Sequence, residues 1–104
     1  MDAVIKLITK TYSKNPLGYP IATETETEVL CDVGSISRAE YFNAGKAGLA
    51  PDFVFTINAI EYNGEGELDY NGKRYSIYRT YKADSDMMEL YAEYKSGVSD
   101  ANNN

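Results

Sequence analysis

Histidine and tryptophan are absent from this chain of 104 residues, cysteine occurs once, at Cys31, and proline three times. The missing imidazole removes the usual zinc and iron ligand sets and every acid–base arrangement built on histidine, which excludes most hydrolase chemistries. A single cysteine forms no internal disulfide and suits a reducing compartment. No apolar run approaches the roughly 18–20 residues of a membrane span. The start of the chain places Asp2 ahead of a short alternation, Val4-Ile5-Lys6-Leu7-Ile8, unlike the basic and unbroken apolar run of a secretory signal. These absences predict a soluble intracellular protein with no cofactor, no metal and no membrane contact.

What is present is one domain's worth of sequence, since domains cluster at roughly 100–150 residues. Hydrophobic residues make up 43%, and 10 of the 13 aromatic side chains are tyrosine, a globular composition. The formal net charge of −6 is unevenly spread. Residues 21–72 carry ten acids against two cations, Arg38 and Lys46, whereas residues 73–82 carry Lys73, Arg74, Arg79 and Lys82 and no acid. A groove that neutralises phosphates needs the reverse balance, which argues against tight DNA binding by an isolated subunit. The basic cluster reads either as a solvated strand face or as half of a complementary contact.

Period-two patterns dominate the chain. Residues 3–12 alternate, with Ala3, Ile5 and Leu7 on one face and Val4, Lys6, Ile8 and Lys10 on the other, and Asn15-Pro16-Leu17-Gly18 ends the strand in a turn. A second extended run spans Ile21 to Val33. Its distal half, Thr23-Glu24-Thr25-Glu26-Thr27-Glu28, is polar on both faces, and burying unpaired carboxylates would cost several kcal/mol each. That half must project into solvent, lie at a charged edge that resists aggregation, or meet a partner.

Residues 37–47 switch to helical character. Ser37-Arg38-Ala39-Glu40 has the form of a capping box, and Gly45, Gly48 and Pro51 close the segment. Tyr41 and Phe42 are expected to dock this helix, while the small residues from Ala44 to Gly48 leave it weakly anchored or closely approached. Phe53 to Tyr62 carries the strongest strand signal and is predicted to be the central strand. Asn63-Gly64 turns into a short strand around Leu68 and Tyr70, and Asn71-Gly72 is a type I′ hairpin signal. Lys73–Lys82 and Met87–Lys95 complete about six strands. The expected architecture is mainly β: a small antiparallel barrel over residues 1–95 with one short helix inserted between strands 2 and 3, followed by a disordered tail at 96–104.

The block from Cys31-Asp32-Val33-Gly34-Ser35-Ile36-Ser37-Arg38-Ala39-Glu40-Tyr41-Phe42 through Ala44-Gly45-Lys46-Ala47-Gly48-Leu49-Ala50-Pro51 resembles the phage head-tail joining family. So do Glu61-Tyr62-Asn63-Gly64, Tyr70-Asn71-Gly72-Lys73-Arg74-Tyr75, Tyr78-Arg79-Thr80-Tyr81 and Glu89-Leu90-Tyr91, in order across roughly residues 23 to 95. These are the head-closure, or stopper, proteins of long-tailed phages and related prophages. The resemblance implies a barrel subunit of a dodecameric ring, non-enzymatic, located at the virion head-tail interface after assembly in the host cytoplasm. Its partners would be portal or adaptor connector proteins above and tail proteins below, with double-stranded DNA passing through the channel without specific binding. The connection from Gly34 to Asp52 would contribute to contacts and channel closure.

Candidate assembly and channel residues are Glu24, Glu26, Glu28, Arg38, Tyr41, Phe42, Lys46, Lys73, Arg74 and Arg79. The acidic middle of the chain suits a lumen to which DNA must not stick. The acidic run from Glu24 to Glu28 and the basic run from Lys73 to Lys82 form a possible complementary pair between subunits. Two other classes compete: a Tyr-rich barrel that stacks carbohydrate or single-stranded nucleic acid, and an enzyme using Asp84, Asp86 and Glu89 as paired carboxylates. Those three acids fall in a turn and the strand after it, where turn chemistry alone accounts for them.

Overall fold

The computed structural model describes residues 2–95, so the expected tail at 96–104 lies outside the described residues. Six strands and one helix follow in chain order: β1 (Ala3–Lys14), β2 (Pro20–Ser35), α1 (Arg38–Lys46), β3 (Pro51–Asn58), β4 (Glu67–Tyr70), β5 (Lys73–Lys82) and β6 (Met87–Tyr94). Antiparallel pairing closes them into a barrel in the order β1-β2-β3-β6-β5-β4. The helix occupies the connection between β2 and β3, as the sequence predicts.

Alternation puts one face of each strand inside. Ile5, Leu7, Val29, Cys31, Phe55, Ile57, Leu68, Tyr75, Leu90 and Ala92 fill the interior as one cluster. Phe55 and Tyr75 of this cluster and the partly buried Phe53 and Tyr70 packed against it form an aromatic group, with ring centroids 5.2–6.3 Å apart in mostly edge-on contacts. Burial holds the Cys31 thiol at about 11, reinforced by the neighbouring Asp32 carboxylate, so it is a packing group rather than a nucleophile. Ile8 breaks the expected pattern. It points to the outer face yet is 2% exposed, at the position where β1 pairs with Glu67 of β4.

The central strand is shorter than its composition suggests. β3 stops at Asn58, opposite Met87 at the start of β6, and residues Ala59–Glu61 form a 3₁₀ turn. Beyond Asn58 no strand among the described residues faces it: the Ala59 N–H donates to the Asp86 carbonyl (2.7 Å) and Ile60 lies exposed. β-propensity yields to the missing partner. Asn71 (φ 52°) and Gly72 (φ 78°) make the tight turn between β4 and β5, with Tyr70 facing Lys73.

β1 and β2 outrun the barrel. Their register continues from Ala3↔Cys31 to Lys14↔Pro20, whereas β1 meets β4 only from Lys6 to Ile8 and β2 meets β3 only from Asp32 to Ser35. The excess is a two-stranded arm, exposed on both faces. Asn15 closes its tip: the side-chain carbonyl accepts from the Leu17 and Tyr19 N–H groups (2.9 Å each), and Gly18 adopts φ 88°.

Candidate assembly surfaces

The arm exists because its residues cannot be buried. Thr9, Thr11, Thr23 and Thr25 occupy one face, continuous with the barrel interior, and Lys6, Lys10, Lys14, Glu24, Glu26 and Glu28 occupy the other. In the single chain the Thr-Glu repeat projects from the barrel, exposed on both faces and with one edge of β2 free. Near the tip, Tyr12, Leu17, Tyr19 and Ile21 are exposed by 71%, 79%, 63% and 42%.

An ionic cluster ties the arm's root to the barrel wall. The Arg74 guanidinium on β5 donates to Asp69, to Glu67 (2.9 Å) and to Glu24 on the arm (3.2 Å). Glu67 also accepts from Lys95 (2.5 Å) and faces Lys10 at 3.6 Å. Burial alone would push the Glu67 carboxyl up, but its bonds to Lys95 and Arg74 outweigh this and hold it below the ordinary range. Lys6 pairs with Glu26 across the hairpin at 3.7 Å. The expected attraction between the acidic run and the basic run is therefore partly met inside one chain: Arg74 and Glu24 come together within the subunit. Lys73 is placed elsewhere, over the Tyr94 ring at 5.5 Å.

The helix carries the second surface. Ser37 caps it, its hydroxyl accepting from the Glu40 N–H (3.1 Å), but Glu40 does not reach back to complete the capping box. Its carboxylate instead accepts from the Tyr78 hydroxyl (2.7 Å) and from Arg79 (2.6 Å). A bulge between Ile77 and Arg79 makes Tyr78 the extra residue of β5 and aims its side chain out of the barrel toward the helix. Arg79 also lies over the Tyr91 ring at 4.1 Å. The bond to Arg79 holds the Glu40 carboxyl below its usual range, and burial together with the bond to Glu40 pushes the Tyr78 phenol well above its own.

The docked face of α1 is thus Glu40 and Ala44, with Ala44 the one helix residue that is buried. A cleft of about 380 Å³ lined by Glu40, Asn43, Ala47, Leu49, Tyr78 and Arg79 runs beside it. Tyr41 and Phe42, expected to be the anchors, face away and are 54% and 64% exposed. The physical reason is spacing. Residues 40 and 44 share a stripe at i, i+4, with Glu40 held by Tyr78 and Arg79 and Ala44 buried, which leaves Phe42 on the opposite side of the helix and Tyr41 on its flank. The aromatics instead line an open groove with Ile36 and Arg38, and Lys46 closes the last turn.

Glu40, Tyr78 and Ala44 are the positions that sequence reasoning missed. The small-residue stripe was the only signal for Ala44, the capping box offered Glu40 a competing local role, and the bulge that turns Tyr78 outward has no mark in the sequence. Among the described residues, no group of three or more His, Cys, Asp or Glu side chains is placed to hold a metal ion, and no helix is long and apolar enough to cross a membrane. No family model matches the sequence, and no curated protein matches it.

Proposed function

We propose that this chain is a structural ring subunit of the phage head-tail connector, lying below the portal or adaptor, closing the DNA channel after packaging and offering the tail its attachment surface. The observation that carries the reading is the pair of unlike exposed surfaces on one small barrel. A closed ring of identical subunits needs two different faces per copy, one to give and one to receive. The projecting arm and the aromatic groove of α1 are two such faces, borne by separate elements. The sequence resemblance supplies the kind of ring. The acidic excess between residues 21 and 72 suits a channel wall that DNA slides past, and self-repulsion keeps the free subunit monomeric at micromolar concentration until a template ring collects it.

The test is genetic and visual. The coding sequence is disrupted in the phage or prophage that carries it, and the particles are imaged by negative stain. The expected result is full-size heads that have lost their DNA and bear no tails, with rescue by the intact chain supplied in trans. Complete, infectious virions made without the chain would overturn the reading. Specific retention of the purified protein on a glycan or single-stranded nucleic-acid column would favour the binding-barrel alternative instead.

A further inference from the structure

The arm has open backbone on both sides. Beyond Ile8, β1 is paired on one edge only, and before Asp32 the same holds for β2. The free β1 edge from Thr9 to Lys14 is about 20 Å of strand with unpaired donors and acceptors. Such an edge invites another strand, and charged side chains are the usual means of discouraging it.

Discouragement alone does not explain how the charges are sorted. β1 carries Lys6, Lys10 and Lys14 and no acid, and β2 carries Glu24, Glu26, Glu28 and Asp32 and no cation. Two β1 edges therefore repel, two β2 edges repel, and a β1 edge attracts a β2 edge. The six residues Lys6, Lys10, Lys14, Glu24, Glu26 and Glu28 share one face of the ribbon, with Lys10 opposite Glu24 and Lys6 opposite Glu28. A β2 edge brought alongside β1 would flank Lys10 with glutamates on both sides. The opposite face offers threonine on both strands, which pair well across a sheet.

We propose that the arms of neighbouring copies of this chain zip edge to edge, β1 of one beside β2 of the next. Within a hairpin the two strands run in opposite directions, so arms standing side by side around an axis meet as antiparallel partners. The contact is heterologous, and repeating it by rotation closes a cylinder of arms. Sign segregation rejects the two like-edge contacts that would end assembly in a closed pair. The existing Lys6–Glu26, Lys10–Glu67 and Arg74–Glu24 pairs are 15–49% exposed at their side chains and are weak enough to be shared with a neighbour. The proposal rests on the ring reading above, and its test is independent of virions.

Thr11→Cys and Thr25→Cys are made in separate full-length chains, both on the uncharged face so that every charge stays in place; Cys31 is buried and does not compete. The two proteins are mixed at high concentration in low salt and oxidised, with Thr23→Cys as a second β2 position to scan register. The mixed β1–β2 disulfide is expected to exceed either like product by roughly tenfold, the ratio that about 1.4 kcal/mol of edge preference produces. It should fall to the statistical ratio in 1 M salt, where the Debye length is about 3 Å. Lys10→Glu with Lys14→Glu in the Thr11→Cys chain should abolish the excess, and Glu26→Lys with Glu28→Lys in its partner should restore it; circular dichroism checks each fold. A statistical mixture in low salt, a dominant like product, or no cross-linking overturns the zipper. An excess of the mixed product alongside virions that form without the chain would keep the zipper and remove the connector.

Discussion

The Tyr78 hydroxyl donates to the Glu40 carboxylate over 2.7 Å, across 38 positions of sequence. With Arg79 on the same carboxylate and one buried alanine, this contact is most of what holds α1 to the barrel. A helix of 9 residues is marginal by itself in water, so its order depends on that small polar latch.

Tyr78→Phe removes the hydroxyl from a charged acceptor and should lower stability by about 1 kcal/mol. The effect should be local. Hydrogen exchange is expected to show amides from Arg38 to Leu49 less protected than those of β3 in the free subunit, and the gap should widen in the variant. Equal protection of the two segments would mean that the helix is a fixed plug.

The acid limit of stability follows from two carboxylates. Glu40 and Glu67 both lie below the ordinary glutamate value of 4.5 in the folded chain, Glu40 through Arg79 and Glu67 through Lys95 and Arg74 against the opposing push of burial. A depressed folded value contributes stability that is complete above 4.5 and is lost as pH falls through the folded value. Denaturant melts from neutral pH downward should steepen their decline below that point. Glu40→Gln and Glu67→Gln should each lower stability at neutral pH and flatten the acid slope; an unchanged slope in both would locate acid sensitivity elsewhere.

Gly72→Val tests the hairpin between β4 and β5. A Cβ at Gly72 would meet nothing within 4 Å, so the cost arises from the backbone alone, held at φ 78°. A β-branched residue there should destabilise by about 1–2 kcal/mol. An unchanged melting temperature would count against the type I′ turn.

Tyr41→Ser with Phe42→Ser separates folding from assembly. Both rings are more than half exposed, so the free subunit should melt within about 0.5 kcal/mol of the parent. Incorporation into particles, measured by complementation of the disrupted phage, should fail. A large loss of stability in the purified subunit would show that the rings do anchor the helix.

Local rules were enough for much of this molecule. The alternation in β1, β5 and β6, the Asn71-Gly72 turn, the Ser37 cap and the Gly and Pro stops after α1 are each properties of a few adjacent residues, and together they specify a helix set into a closed antiparallel barrel. The Thr-Glu repeat likewise announced a segment that no interior could accept, because burying its carboxylates costs more than any neighbour on the strand could return. Tertiary structure decided the rest. Whether β3 continued past Asn58 depended on β6 starting at Met87, and whether Glu40 bonded its own helix end or Tyr78 depended on a bulge in a strand nearly forty residues later. Which face of α1 turned inward was settled by the bonds that Tyr78 and Arg79 make to Glu40. Each of these is a choice between local options of similar energy, and only the partner brought across the barrel could make it.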